Sequence, residues 1–295
     1  MQRDNPEELI RKARSKMQPG FFGKMFSSKQ GRLDEALELF QAAANMYKIR
    51  KDWNNAGVAY EECANLEVQL GSASAYSQYK EAAHCFSFVD QERSNRNLNN
   101  AIQFLENHAK FQQAGKMTQE IAHQLEIDFD YAGAIEKYKK AAELFKLEGQ
   151  SCRSLEQQCS VKVADLMCIS NHKDMLIEAP KIYEKVGMQY LTVNLLKTSA
   201  KDMFFKCVVC NLAQKDEITA QNNLAKFIKE DPTFEGTREY QFLEKAIECV
   251  TEPSNPEGFR EAMAKLKSYR DLDKWKINMF DTILTKIEEE DEDMK

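Results

Sequence analysis

Two cysteines three residues apart are the pair in this sequence whose type and spacing could do chemistry. Cys207 and Cys210 form a Cys-x-x-Cys motif, which occurs in metal sites and in thiol redox sites. A tetrahedral zinc site needs four ligands, however, and neither a second such motif nor a His pair at useful spacing accompanies this one. Because both residues lie within an apolar run of helical periodicity, we interpret them as packing residues and predict no metal site.

The other residues that could carry catalysis are dispersed. The four histidines occur singly, and none is paired at motif spacing with a Ser or Cys nucleophile; they are His84, His108, His123 and His172. The sequence contains neither a GxxxxGK[ST] nor a GxGxxG loop, so we expect no nucleotide to be bound through those loops. We therefore predict a protein that is not an enzyme, with no catalytic residues and no cofactor.

A stretch in the middle of the chain shows most plainly which kind of secondary structure the sequence forms. In Tyr131–Phe145, apolar or small residues recur at the i, i+3, i+4, i+7 spacing of one helical face. Small Ala134 and Ala141 flank the large Tyr138, so a neighbouring helix can approach closely beside the ring. This pattern predicts an amphipathic helix that packs in a pair.

The same Ala, large apolar, Ala signature recurs along the chain. Its other copies, some with a substituted member, are Ala36, Phe40, Ala43; Ala75, Tyr79, Ala82; Ala101, Leu105, His108; and Ala179, Tyr183, Val186. Successive copies start 26 to 45 residues apart, near the roughly 34 to 47 residues of helical-hairpin repeats. An ordinary helical bundle remains the alternative. We predict an all-α fold, a right-handed superhelical stack of tetratricopeptide-like helical hairpins with a C-terminal helical bundle.

Composition and charge limit the kind of molecule. The 295 residues include only 11 Gly and 6 Pro, which favours helix, and no run reaches the roughly 18 apolar residues that span a bilayer. The amino terminus opens polar, unlike a signal peptide, so we expect a soluble intracellular protein with reduced cysteines. The net charge is −6, of which −5 lies in Glu288–Lys295, and the nearly neutral remainder does not indicate nucleic acid.

A segment near the amino terminus interrupts the helical patterns. Glu7–Lys16 predicts a short helix, but Gly20–Gly31 combines glycines with a Ser-Ser-Lys-Gln-Gly ending that is typical of loops. Its apolar side chains either fold back onto the first repeat or enter a lipid interface, where the lysines favour anionic headgroups. In the second interpretation the membrane-binding residues are Phe21, Phe22, Lys24, Met25 and Phe26.

Later segments give further expectations. Asp90–Asn100 is polar and rich in Asn, which predicts a loop or a frayed helix start. Leu195–Leu212 is a long apolar pattern and predicts a buried, central helix of the late repeats. Beyond about Asp216 the repeat signature fades, and four segments predict a compact helical end-piece: Ile218–Ile228, Tyr240–Val250, Phe259–Leu266 and Asp273–Ile287.

The segment Ala43-Ala-Asn-Met-Tyr-Lys48, followed by Lys51, Trp53 and Ala56-Gly57, carries a family resemblance. The chain resembles the soluble NSF attachment proteins, nearest to the alpha and beta members. These adaptors join assembled SNARE bundles to the hexameric ATPase called N-ethylmaleimide-sensitive factor. The resemblance covers essentially the whole chain, including Phe21-Phe22, Thr198–Lys206, Leu272–Trp275 and the acidic end.

The resemblance implies two sets of protein-binding residues. The first is a basic face for the SNARE four-helix bundle, of the syntaxin type and related sets: Lys51, Lys110, Lys116, Lys162, Lys201 and Arg238. Gln158 and Ser87 stand where relatives carry Lys. The second is an acidic end that meets the NSF-type ATPase: Glu290, Asp291, Glu292, Asp293 and Met294, the last replacing the Leu of relatives.

We accordingly expect four regions along the chain. Residues 1–31 hold the first helix and the membrane-touching loop, 32–215 the hairpin solenoid, 216–287 the C-terminal bundle and 288–295 the acidic tail. The expected function is a cytoplasmic adaptor, peripheral on the cytosolic face of membranes, that recruits and stimulates the ATPase for SNARE disassembly in vesicle fusion and membrane traffic. The alternatives are a generic tetratricopeptide-type scaffold that clamps peptide tails and, less favoured, an enzyme that uses the cysteines.

Overall fold

The computed structural model describes residues 5–18, 28–170, 176–251, 255–269 and 271–293, with side chains up to residue 289. Within these residues the chain forms fourteen α-helices and no β-strand, which confirms the all-α fold class. None of the described helices is both long and apolar enough to cross a bilayer. In chain order they are α1 (Pro6–Met17), α2 (Lys29–Ile49), α3 (Trp53–Gln69), α4 (Ala75–Phe86), α5 (Gln91–Asn107), α6 (Phe111–Ile127), α7 (Tyr131–Glu148), α8 (Arg153–Ile169), α9 (Ala179–Leu191), α10 (Lys197–Ala213), α11 (Glu217–Glu230), α12 (Arg238–Val250), α13 (Pro256–Tyr269) and α14 (Lys274–Asp293).

The helices belong to two compact units, residues 1–118 and 119–295, and the division falls within α6. Consecutive helices within each unit pack on one another as hairpins, as the sequence predicts. The right-handed superhelix and the region boundaries expected at residues 31, 215 and 287 stay predictions.

In the first unit, each of the helices α1 to α4 packs on the next one along the chain. The first copy of the repeat signature lies in the interior of this unit, because Ala36, Phe40 and Ala43 of α2 are fully buried. Helices α3 and α4 approach each other closely, since a Cβ added to Gly57 would lie 2.7 Å from the Phe86 ring. The glycine therefore lets the ring pack directly on the α3 backbone.

The second unit is built around α10, which packs on α9, α11, α12 and α14. Every residue from Met203 to Ala213 is buried, as the long apolar pattern predicts. A phenylalanine of α10 packs on a neighbouring helix, since Phe204 stacks on Phe227 of α11 with ring centroids 4.1 Å apart. The predicted start is wrong, because Leu195 lies in a 3₁₀ turn before the helix and is 93 % exposed.

Four corners between helices share one backbone conformation. Each has a non-glycine residue of positive φ, and the next N–H donates to the carbonyl five residues back, as in the Schellman motif. These residues are Lys51, Ala109, Phe129 and Lys215, with φ of 60°, 53°, 61° and 59°. In three of the corners an Asp follows and caps the next helix through its carboxylate. These corners set the short connections between successive helices.

The predicted loop Gly20–Gly31 is wrong at its carboxyl end. Helix α2 begins at Lys29, because Ser28 is its N-cap and the Ser28 Oγ accepts a hydrogen bond from the Gly31 N–H at 3.0 Å. The part of this ending from Ser28 to Gly31 is therefore a helix start and not a loop. The rest of the predicted loop, residues 20–27, lies outside the described residues.

The expectation of a loop or a frayed helix start at Asp90–Asn100 is also wrong, because the segment is helical and its start is capped. Helix α5 begins at Gln91, after the Asp90 carboxylate accepts from the Arg93 N–H at 3.0 Å. Two polar residues of this segment, Ser94 and Asn97, are buried, whereas Asn95 and Asn99 are exposed. Asn97 is fully buried and donates to Glu61 Oε1 at 2.6 Å, so a polar contact in the interior replaces the apolar face that the pattern lacks.

Candidate protein-binding surface

The six basic residues implied by the family resemblance are divided equally between the two units. In the first unit, Lys51 lies in a corner of positive φ, whereas Lys110 immediately precedes α6 and Lys116 lies within it. All three side chains are exposed. None has an ion pair within the described part of the chain, so their charges are available to an acidic partner.

In the second unit, Lys162 on α8 is bound to a carboxylate of α6. Its Nζ donates to Glu126 Oε1 at 2.7 Å, while the Tyr138 hydroxyl donates to Glu126 Oε2 at 2.8 Å. The Nδ1 of His123 lies 3.8 Å from the same carboxylate. The Lys162 side chain is still 44 % exposed, so this network fixes the position of the ammonium group without removing it from solvent.

The electrostatics of Glu126 follow from these contacts. Burial opposes its ionisation, but the hydrogen bonds from Lys162 and Tyr138 outweigh burial and hold the pKa of Glu126 below its ordinary value of 4.5. Burial and the adjacent carboxylate both raise the pKa of Tyr138. Glu126 is therefore ionised and Tyr138 protonated at neutral pH, which is the state that binds Lys162.

The ammonium group of Lys201 on α10 binds groups of its own chain. Its Nζ donates to the Thr233 carbonyl at 3.0 Å and lies 4.0 Å from Asp231 Oδ2. The other oxygen of Asp231 accepts from the Thr233 N–H and hydroxyl, at 3.1 and 2.6 Å. Lys201 thus stabilises the turn that leads towards α12, and only 23 % of its side chain is exposed.

Arg238 begins α12 and is exposed. Its guanidinium carbon lies 4.0 Å from the centroid of the Tyr269 ring at the end of α13. A guanidinium that stacks on an aromatic face keeps its edge N–H groups free to bind a carboxylate. Arg238 is therefore held in place by the ring, and its donors have no hydrogen-bond partner among the described residues.

A buried lysine in the second unit was not predicted as a functional residue from the sequence. Lys206 on α10 donates to Asp165 Oδ1 at 2.8 Å, lies 3.9 Å from Asp202, and has its Nζ 5.2 Å from the Trp275 ring centroid. Burial alone would lower the pKa of Lys206, but the two carboxylates outweigh burial and raise it. The i, i+4 pairing of Asp202 with Lys206 inside an apolar run is the signal that could have found it.

This cluster joins three helices. Asp165 is on α8, Lys206 on α10 and Trp275 at the start of α14. Asn278 of α14 also donates to the Cys168 carbonyl of α8 at 2.9 Å. The last helix is therefore fastened to the interior of the second unit by a charged group and by hydrogen bonds as well as by apolar packing.

All eight cysteines are buried and free. Cys207 and Cys210 lie in the core, and Cys210 Sγ is 3.5 Å from Cys168 Sγ. Burial raises the pKa of both Cys207 and Cys210. No group of three or more potential metal ligands is found among the described residues. The interpretation of the Cys-x-x-Cys pair as packing residues agrees with this placement.

The remaining predicted site residues lie near the two ends of the chain. The membrane-binding residues Phe21, Phe22, Lys24, Met25 and Phe26 lie outside the described residues. The backbone of α14 extends to Asp293, but the side chains of Glu290 to Asp293 and all of Met294 lie outside them as well. The two departures from the basic pattern make local contacts only, Gln158 to Ser154 and Ser87 to the His84 carbonyl.

Comparison with known proteins bears on these observations. The family model described as "Soluble NSF attachment protein, SNAP" matches residues 4–288. The chain is 33 % identical over 290 residues to the vesicular-fusion protein SEC17 of Komagataella phaffii, covering 97 % of this chain and 96 % of that protein. It is 32 % identical over 295 residues to the alpha-soluble NSF attachment protein of Saccharomyces cerevisiae, covering 98 % and 99 %.

The human alpha-soluble NSF attachment protein is 30 % identical over 277 residues, covering 93 % of this chain and 91 % of that protein. The resemblance inferred from the sequence and the prediction that the chain is not an enzyme are both confirmed by these matches, and the chain belongs to the family of soluble NSF attachment proteins.

Proposed function

We propose that this chain is an adaptor that binds assembled SNARE four-helix bundles and recruits and stimulates an NSF-type ATPase, which takes the bundles apart. The family match over residues 4–288 carries this proposal, together with relatives named for vesicular fusion and NSF attachment. The adaptor acts in vesicle fusion and intracellular membrane traffic, from the cytoplasm and from the cytosolic face of membranes.

The basic residues suit an acidic, elongated partner. An exposed ion pair contributes only about 0 to 1 kcal/mol, so several lysines must act together to bind the partner. Lys51, Lys110 and Lys116 are exposed and have no ion pair within the described residues, and Lys162 and Arg238 are held in fixed positions by neighbouring side chains. Such a surface recognises charge more than individual side chains, and its affinity falls as salt is added.

A preformed surface also has to carry load if the ATPase is to act through it. The Lys206 cluster and the phenylalanines of α10 tie the last helix to the interior of the second unit. Because α14 leads into the acidic end, force applied at that end reaches the packed core through α14. This arrangement supports a role in which the acidic end engages the ATPase.

The two ends of the chain complete the proposal. Phe21, Phe22, Met25 and Phe26 enter the lipid interface while Lys24 contacts anionic headgroups. At the other end, Glu290, Asp291, Glu292, Asp293 and Met294 bind a basic surface of the ATPase. Met294 supplies an apolar contact with a more flexible side chain than the Leu of relatives.

One reconstitution tests the proposal. Purified protein, a soluble four-helix SNARE bundle and the ATPase are mixed, and bundle disassembly and ATP hydrolysis are measured. Wild-type protein is expected to support both, and deletion of Met294 and Lys295 is expected to lower hydrolysis without weakening bundle binding. Absence of bundle binding at low salt would contradict the proposed function.

Two further variants separate the surfaces in the same assay. Charge reversal at Lys116 and Lys162 together is expected to weaken bundle binding strongly while helicity is unchanged. Replacement of Phe21 and Phe22 by Ser is expected to lower activity on liposome-anchored bundles more than on soluble bundles. Equal loss on both substrates would indicate that these rings pack on the protein instead.

One observation favours the alternative of a peptide-clamping scaffold. A groove of about 200 Å³ is lined by residues of α7, α8 and α9, and its apolar lining includes Ala142, Val163 and Ile182. A fluorescent peptide library distinguishes the two functions. Tight binding of a short peptide in this groove, without any affinity for a helical bundle, would favour the scaffold.

A further inference from the structure

A second groove in the unit 119–295 lies between α12 and α13, and its volume is about 160 Å³. Its floor is apolar, because Phe242 of α12 and Ala262 and Leu266 of α13 line it and are buried. The positions that line it follow helical periodicity on α12 at 238, 241, 242 and 245, and on α13 at 262, 265, 266 and 269. The groove therefore runs along the two helices.

The charged groups along the groove are all cationic. Arg238, Lys245 and Lys265 line it, and none of its described lining residues is acidic. Arg238 stacks on Tyr269, and neither Arg238 nor Lys265 has an ion pair within the described parts of the chain. Lys245 pairs with Glu248 of the same helix at 2.9 Å, and 51 % of the Lys245 side chain is exposed. Because an exposed ion pair contributes little free energy, a carboxylate of the partner can replace Glu248 at small cost.

The spacing of these cations matches a helical partner. Arg238 and Lys245 are seven residues apart on one face of α12, which corresponds to about 10.5 Å along the axis at about 1.5 Å per residue. Seven residues is also the repeat of a coiled coil, in which equivalent positions recur on the same side of a helix. An acidic helix beside α12 would present carboxylates at this interval to both cations.

We propose that the groove between α12 and α13 binds an acidic helix of the partner bundle, with carboxylates one heptad apart on Arg238 and Lys245 and a third on Lys265. This proposal rests on the proposed function and adds Lys245, Lys265 and Tyr269 to the basic residues implied by the family resemblance. Tyr269 acts as a positioning residue, because the Arg238 guanidinium carbon lies 4.0 Å from the centroid of its ring, and a guanidinium stacked on a ring keeps its edge N–H groups open to a carboxylate.

The shape of the groove favours a helix over a lipid surface. Its apolar residues form the floor and are at most 8 % exposed, so they cannot project into a bilayer. Tyr269 is the exposed aromatic residue of the groove, and the guanidinium of Arg238 lies over it. Membrane-contacting surfaces instead present protruding aromatic or aliphatic side chains to the lipid.

The test compares two charge reversals on one helix. Lys265→Glu changes the groove, whereas Lys267→Glu makes the same change of net charge at an exposed residue that lines a different cleft, with Met263 and Leu272. Binding of a soluble four-helix SNARE bundle is measured by titration at low salt. Lys265→Glu is expected to weaken binding about fivefold, because a like charge replaces an attractive contact, and Lys267→Glu less than twofold.

A third variant tests the positioning role of the ring. Tyr269→Ala is expected to weaken binding about threefold, because the Arg238 guanidinium loses the face that holds it. Repeating the measurement in the Arg238→Ala background separates this role from a structural one, since the effect of Tyr269→Ala should then vanish. Circular dichroism and thermal unfolding check that each variant is folded.

The outcomes distinguish this inference from the proposed function. If Lys265→Glu and Lys267→Glu bind the bundle equally, the groove assignment is overturned, while bundle binding by the wild type still supports the adaptor. If wild-type protein does not bind the bundle, the proposed function itself fails. If Lys265→Glu lowers sedimentation with phosphatidylserine vesicles but leaves bundle binding intact, the groove is a lipid site and the inference is wrong.

Discussion

Lys162 Nζ and Glu126 Oε1 lie 2.7 Å apart, so one of the basic residues proposed to bind an acidic partner already binds a carboxylate of its own chain. The contact joins α8 to α6 across 36 residues of sequence, and the Tyr138 hydroxyl of α7 binds the other oxygen of the same carboxylate. Glu126 therefore fixes the position of the ammonium group and also offsets part of the charge that the partner would meet.

Glu126→Gln should strengthen bundle binding. The amide can still accept a hydrogen bond from Tyr138 but no longer neutralises Lys162, so we expect the affinity at low salt to rise about two- to threefold. Glu136→Gln on α7 is the matched control, because Glu136 is exposed and the change of net charge is the same. The affinities are measured by titration with a soluble bundle, and equal gains for both variants would mean that only net charge matters.

The same substitution should change the response to acid. Because folding lowers the pKa of Glu126 below its ordinary 4.5, the carboxylate stabilises the folded state above that pH, and its contribution is lost as the pH falls through the lowered pKa. Since the pair is partly exposed, we expect the unfolding free energy of wild type to exceed that of Glu126→Gln by less than about 1 kcal/mol at pH 7. Urea unfolding at neutral and acid pH measures this difference, which should disappear in acid; a difference independent of pH would refute the assignment.

Gly187→Ala should destabilise the second unit. A Cβ at Gly187 would lie 2.7 Å from the ring of Phe204, which is itself stacked on Phe227 and cannot move away. We expect a net loss of about 1 to 2 kcal/mol, because overpacking exceeds the gain in helix propensity from glycine to alanine. Gly236→Ala is the control, since its nearest contact would be 3.9 Å away. Equal unfolding free energies for the two variants would contradict this packing.

Lys206→Met should also destabilise the second unit. Removal of the ammonium group leaves Asp165 and Asp202 close together without their counter-charge, and we expect a loss of about 3 kcal/mol in unfolding free energy. Lys229→Met is the control, because Lys229 is exposed on α11. Adding Asp165→Asn to Lys206→Met should restore part of the loss, and purely additive losses would show that the two residues do not interact.

The helices could be predicted wherever one face is apolar. The pattern of Tyr131–Phe145 gave α7, which runs to Glu148, and its Ala134, Tyr138 and Ala141 are buried as expected. The prediction failed at α5, because Asn97 is buried against Glu61 of α3 and a buried polar residue carries no periodic apolar signal. Hydrophobic periodicity detects burial by apolar contact and overlooks burial by hydrogen bonds.

The candidate site was predictable in part and for a different reason. The family resemblance supplied the basic positions, but the sequence cannot show which of them the fold already uses. Lys201 binds the turn at Thr233 and Lys162 binds Glu126, and both partners lie more than thirty residues away along the chain. The α12 and α13 cations likewise become one groove only once the two helices pack together.

The burial of all eight cysteines has a practical consequence for measuring how the molecule opens. Burial raises the pKa of Cys63 to about 12 and that of Cys85 to about 11, so the nucleophilic thiolate is scarce in the native state. An alkylating reagent therefore labels a molecule only when its helices separate. The rate and extent of labelling are resolved for each cysteine by mass spectrometry. They would report how often each hairpin opens, and the native thiols would be the only probes needed.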